Sequence, residues 1–253
     1  MPHRRLTLRS LQNAKGLTIP RSGSYRPVAR LDRVIAAPLS TRRRAIYAAL
    51  ALLSLFSVAL VATRYFYSRE PIFGWLIWNL FLAWIPFGLS VLIYDRHRAG
   101  ARLRSLIPLA ALWLLFLPNA PYILTDFKHL FPSPVVPLWV DVVVIAAPAW
   151  TGMLLGFLSL YLVQSVLRQH VGPRVTWTAA VAVLGLASFG IYLGRVLRWN
   201  SWDVIANPRI LSDLGSVVVD PRAIAMTVLL SGFLTLSYLV VYAFMRFEVL
   251  EER

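Results

Sequence analysis

The residues able to do chemistry in this 253-residue chain gather in two short stretches. The first is Leu117-Pro118-Asn119-Ala120-Pro121-Tyr122, followed by Ile123-Leu124-Thr125-Asp126-Phe127-Lys128-His129-Leu130-Phe131. Asp126 and His129 are three apart, so on a helix they share a face. An acid and a histidine so placed can ligate a metal, or form a general base with its orienting carboxylate. The same spacing arises often by chance, and a solvated surface pair is the plainer reading. The second stretch is Gly194-Arg195-Val196-Leu197-Arg198-Trp199-Asn200-Ser201-Trp202-Asp203. Arg195 and Arg198 also share a face, and two guanidinium forks suit phosphate or carboxylate. Asp203 either pairs with Arg198 or completes a carboxylate set with Asp126 and Asp141. The plainer reading here is an anchor, since Arg and Trp flank many membrane spans without binding anything.

The candidate catalytic residues are therefore Asp126, His129 and Asp203. The same three could hold a divalent metal, with Asp141 the weaker fourth. Asn119, Arg195, Arg198, Asn200 and Trp202 are the candidates for ligand binding.

The elements that must position them are set by composition. Hydrophobic residues make up 58% of the chain and charged residues 15%, against roughly 25% charged in a soluble domain. That excludes an ordinary soluble enzyme, a disordered protein and a fibre. Cysteine is absent, which excludes disulfides, thiolate nucleophiles and zinc–cysteine sites. Six stretches approach the roughly 20 apolar residues needed to cross a bilayer. They are Ala45 to Thr63, Ile72 to Tyr94, Leu106 to about Ile123, about Val135 to Val163, Val175 to about Leu193, and Ala223 to Met245. An all-α, polytopic membrane protein with about six transmembrane helices follows. Its parts are a basic tail over 1–44, a transmembrane domain over 45–245 and a short tail over 246–253.

Charge sets the orientation. The formal charge is +15, from 26 Lys+Arg against 11 Asp+Glu. With six spans, 19 of the basic residues fall on the side of the two termini and 7 on the other. The positive-inside rule makes the first side cytoplasmic. Both candidate stretches then lie on the outer face, as expected for a multi-pass protein of a bacterial cytoplasmic membrane. The tail reads as a disordered segment that touches anionic lipid. Tyr25 is the one aromatic among its arginines, so nucleic acid is not an expected partner. It does not read as a cleavable secretion signal, because its basic region is too long.

Two features bear on depth. Pro118 and Pro121 fall near the outer end of the third span, where each removes a backbone donor. Either the helix breaks there and lines a binding cavity, or it ends and a loop begins. The segment after it reads as a short amphipathic helix on the outer interface. Asn79 and Asp141 enter spans in the same outer half, and Asp141 also reads as a helix-start carboxylate favoured by the helix dipole. No ionisable residue falls near the middle of a span, which counts against an ion-driven transporter. No phosphate-binding glycine loop, dinucleotide fingerprint, HExxH or GxSxG occurs.

The two stretches, in this order and on one expected side, resemble the domain of unknown function 1361 family of bacterial multi-pass membrane proteins. The resemblance covers about residues 45 to 245. It implies an integral membrane protein of several helices and supplies no reaction. Three functions stay open: an enzyme acting on an anionic lipid or envelope precursor, a carrier or binding protein for an anionic solute or lipid, and a structural partner in a membrane complex.

Overall fold

The computed structural model describes residues 39–70, 72–132, 135–199, 215 and 217–251. The basic tail over 1–38 lies outside them, as do Asn200, Trp202 and Asp203. The chain forms two units, Met1–Ile46 and Tyr47–Arg253. The described part of the first is the start of one helix, and the second carries everything below.

Seven α-helices make up the described fold, and no strand occurs among the described residues. They are α1 (Leu39–Ser68), α2 (Gly74–Arg98), α3 (Leu103–Phe116), α4 (Asn119–Tyr122), α5 (Leu138–Leu167), α6 (Pro173–Val196) and α7 (Pro221–Glu251), with a 3-10 helix (Ile123–His129) between α4 and α5. Six spans result, each centred where the apolar runs predict. The helices overrun those runs by a few residues, because helix geometry continues past the hydrocarbon edge until a cap or proline stops it.

The third span is a composite of α3, α4 and the 3-10 helix, Leu103–His129. At 1.5 Å per residue the 14 residues of α3 reach only about 21 Å, so the broken segment beyond it completes the crossing. The break follows from the prolines. Pro118 and Pro121 cannot donate to the carbonyls one turn back, and the ladder shifts to a tighter pattern. The Ala120 N–H goes to the Leu117 carbonyl at 3.1 Å, three residues back. That strands the Phe116 carbonyl, and the Asn119 side-chain amide donates to it at 3.0 Å. In hydrocarbon such rescue is obligatory. The expected interfacial surface helix is thus corrected: Ile123 and Asp126 are buried, and the segment belongs to the bundle.

Four glycines make room for it. Gly152 and Gly156 stand one turn apart on α5, and Gly190 and Gly194 one turn apart on α6. A Cβ on Gly152 would meet the Ala120 carbonyl oxygen at 2.4 Å, and one on Gly190 would meet Pro118 at 2.6 Å. Gly156 and Gly194 approach Ala120 and the Tyr122 ring at 3.1 Å in the same sense. Small residues at this spacing let backbones approach closely inside membranes. The proline segment is therefore clamped between α5 and α6.

The α5 helix is the most buried span, and α1 and α7 are the least. One apolar cluster gathers α3, α5, α6 and α7 around Trp113, Phe157, Leu184 and Tyr238. A second gathers α1, α2 and the outer half of α5 around Leu76, Phe87, Ile123 and Ile145. Polar ties cross between them. Trp113 Nε1 donates to Ser159 Oγ at 2.6 Å, which donates to the Pro86 carbonyl at 3.0 Å. Within the second cluster Trp84 Nε1 donates to Ser54 Oγ at 3.1 Å and joins α2 to α1.

Candidate functional site

A 3-10 helix has three residues per turn, so side chains at i and i+3 eclipse. Ile123, Asp126 and His129 accordingly form one row. Ile123 enters the core, which turns Asp126 inward at 1% exposure and leaves His129 half-buried at the end. Across from this row stands the last turn of α6, carrying Gly194 and Arg195. Behind it stands the first face of α2, where Trp75 and Asn79 are one turn apart.

Arg195 is held on four sides. Its Nη2 donates to Asp126 Oδ1 at 2.6 Å and its Nε to Thr125 Oγ1 at 2.7 Å. Its Nη1 lies 3.5 Å from His129 Nε2. Its carbon centre sits 4.2 Å from the centre of the Tyr122 ring, a cation–π distance. The Thr125 hydroxyl in turn donates to the Tyr122 carbonyl at 2.7 Å. The second oxygen of Asp126 accepts from Asn79 Nδ2 at 3.1 Å. Because arginine has no acceptor, the Arg195–His129 contact requires a lone pair on Nε2, and the ring proton then sits on Nδ1. The Trp75 ring packs 5.2 Å from the His129 ring, centre to centre.

Arg198 reaches the same place by a strained turn. Its φ is 60°, in the left-handed region where glycine usually closes a helix. The Trp199 N–H returns to the Leu193 carbonyl, six residues back, at 3.2 Å. A bulky residue there costs about 1–2 kcal/mol, and such strain is often found at functional sites.

These residues enclose a cavity of about 510 Å³, walled by Trp75, Asn79, Tyr122, Asp126, Lys128, His129, Gly194, Arg195 and Arg198. Three cations, Lys128, Arg195 and Arg198, face one acid among the described residues, and that acid is committed to Arg195 and Asn79. A second cleft of about 450 Å³ adjoins it and shares Asn79, Tyr122 and Gly194 as walls. Its other walls are apolar for the most part, including Trp78, Leu82, Leu114, Pro118, Phe189 and Leu193. Asn119 lines this cleft rather than the basic cavity.

Of the residues expected from sequence, the fold brings Asp126, His129, Arg195 and Arg198 together. Asp203, Asn200 and Trp202 lie outside the described residues. Asp141 goes elsewhere: Arg64 Nε donates to its Oδ1 at 2.6 Å, and both side chains are almost wholly buried. Among the described residues no three His, Asp or Glu side chains form a metal-holding group. Both oxygens of Asp126 are engaged, by Arg195 and Asn79. The sequence reasoning missed Arg64, Trp75, Tyr122, Thr125 and Lys128 as working parts. Arg64 stood just beyond the uncharged run of the first span, and the paired glycine spacings on α5 and α6 were the readable sign of a clamped segment.

Six apolar helices with a basic cavity against an apolar cleft define a multi-pass helical membrane protein. The chain belongs to the family described as protein of unknown function (DUF1361), whose family model matches residues 78–237. The match takes in Asn79, the proline segment, Asp126, His129, Arg195 and Arg198, and leaves α1 outside. No curated protein and no solved structure matches the chain.

Proposed function

We propose that this protein receives an anionic amphiphile, a lipid or lipid-linked envelope precursor, at the outer face of a bacterial cytoplasmic membrane. The observation that carries this is the shared wall of the two cavities. An anionic head placed among Lys128, Arg195 and Arg198 can lay its hydrocarbon along Trp78, Leu114 and Phe189 without leaving the site. Arg195 is locked by Asp126 and Thr125 and supplies a fixed field. Arg198 and Lys128 have no acid partner among the described residues, and they supply the mobile contacts. The arginine bias along the chain supports the outer placement, since the opposite end carries Arg96, Arg98, Arg102, Arg104, Arg168 and Arg174.

The test is lipid binding to the purified full chain in neutral detergent. Short-chain phosphatidylglycerol should raise the unfolding temperature and short-chain phosphatidylcholine should not. Arg198→Gln should weaken phosphatidylglycerol binding at this cavity about 10–100-fold, the loss of one charge-assisted contact. Equal protection by both lipids, or wild-type binding by the variant, would overturn the reading.

A second reading rests on His129. Its Nε2 lone pair faces Arg195; once an anionic head draws that guanidinium away, Nε2 can take a proton from a water that attacks the head's phosphorus, while the ester oxygen of the head leaves and takes a proton from solvent. His129→Gln separates the two: a binding protein keeps its lipid and its function, whereas an enzyme keeps its lipid and loses turnover.

A further inference from the structure

The other end of the bundle carries a second concavity, and nothing so far uses it. The Arg168 end of α5 runs straight into the Pro173 end of α6. Arg195 lies at the far end of that 24-residue helix, so the two ends are about 36 Å apart. The α7 helix agrees, since Asp220 at its start is bonded to Tyr192 near the Arg195 end and Arg246 lies about 26 residues further along. Here α5 and α7 enclose a cavity of about 350 Å³ whose walls include Gln164, Ser165, Arg168, Tyr242 and Arg246.

No acid lines it among the described residues. Arg168 Nη1 donates to the Tyr242 hydroxyl at 2.7 Å, and Arg246 stands 5.7 Å from the same ring. Tyr242 is itself wedged. Its ring lies 4.8 Å from Trp177, 5.8 Å from Tyr161 and 6.0 Å from Tyr238. Beneath it the Tyr238 hydroxyl donates to Gln164 Oε1, and Gln164 is 5% exposed. An aromatic block thus fixes one phenol. That phenol fixes one guanidinium, and a second guanidinium from another helix lines the same hollow. Plain orientation anchors would project into water separately. These two converge, and basic hollows between spans on the cytoplasmic side suit lipid phosphates.

We propose that this hollow is a binding site for a phosphate oxyanion, gripped between Arg168 and Arg246. The source is either the headgroup of an anionic lipid in the near leaflet or a free phosphate, and the ligand adds a tie between α5 and α7 to those that Tyr238 and Tyr242 already make.

The experiment uses the full chain carrying Arg198→Gln, so that the cavity at the opposite end contributes little. Thermal unfolding is followed with dihexanoyl-phosphatidylglycerol, dihexanoyl-phosphatidylcholine and inorganic phosphate. Protection by phosphatidylglycerol alone assigns the site to lipid, and equal protection by inorganic phosphate assigns it to a free anion. In either case Arg168→Gln with Arg246→Gln should abolish the protection. Tyr242→Phe keeps the aromatic block, so it should leave the ligand-free unfolding temperature in place while weakening the ligand several-fold. Full protection in the double variant, protection by neither phosphate source, or equal protection by phosphatidylcholine would overturn the proposal. Because the Arg198 and Arg168/Arg246 variants are scored separately, failure at one end leaves the other result standing.

Discussion

At the scale of single residues, two buried arginine–carboxylate pairs do different work. Arg64 and Asp141 are nearly sealed, with side-chain exposures of 3% and 4%. Removing one partner leaves an uncompensated charge, at about 3–5 kcal/mol. Arg64→Leu should therefore lower the unfolding temperature steeply in detergent, and Arg64→Leu with Asp141→Leu should recover most of the loss. If the double variant is as unstable as the single one, the pair is not the cause. Arg195 and Asp126 are also paired, yet Arg195 touches a cavity and its pair is a fixture of the site. Arg198 offers the sharpest residue-scale test. Arg198→Gly relieves a left-handed backbone and removes a guanidinium at once. In a chain that also carries Arg168→Gln and Arg246→Gln, its expected outcome is an unfolding temperature at or above that of the parent together with loss of phosphatidylglycerol protection. A matched loss of both would mean that the arginine holds the fold instead.

Elements place these residues, and the proline segment is the element on which the site depends. Gly152→Ala puts a methyl 2.4 Å from the Ala120 carbonyl oxygen, which is backbone and cannot turn away. Overpacking of this kind costs about 1–3 kcal/mol. It should also shift Asp126 and weaken ligand binding. Gly88 on α2 has nothing within 4 Å of a built Cβ, so Gly88→Ala is expected to be neutral or to stabilise by up to about 1 kcal/mol. Similar unfolding temperatures for the two variants would show that the clamp is loose. The start of α7 has its own signature. Asp220 Oδ1 accepts the Arg222 backbone N–H at 2.9 Å and Oδ2 accepts the Tyr192 hydroxyl at 2.8 Å. The Arg222 N–H first, and the Tyr192 hydroxyl second, hold this carboxyl below its ordinary value. A lowered folded value means stabilisation that is complete above the ordinary carboxylate range of about 3.9 and is lost as pH falls through the lower, folded value. Asp220→Asn should flatten the acid limb of a stability-against-pH profile.

For the whole molecule, the argument is about which side faces which space. Six spans put the start of α1 and the end of α7 on one side, and the basic cavity stands at the end where α1, the composite span and α6 finish. A reporter inserted between Phe131 and Val136 is expected to be active only when non-cytoplasmic, and one fused after Arg246 only when cytoplasmic. The reverse pattern would move the proposed lipid site to the inner leaflet. The outward faces of α1 and α7 carry Leu52, Phe56, Leu229, Leu236 and Phe244 in the open, as a bilayer requires, since lipid tails are as apolar as these side chains.

Sequence alone determined the number and position of the spans, because an uncharged run of about 20 residues has one inexpensive place in a cell. It also determined that Asp126 and His129 share a face and that the fifth span ends next to Arg195, since each depends on neighbours a few residues away. The tertiary structure decided the rest. Whether Pro118 ended a helix or broke one depended on Gly190 and Gly152, which are 72 and 34 residues further along the chain. That Asp126 met Arg195 while Asp141 met Arg64, over separations of 69 and 77 residues, depended on which helices lay side by side. Spacing along one strand of sequence carries periodicity, and periodicity cannot specify a partner that another helix supplies.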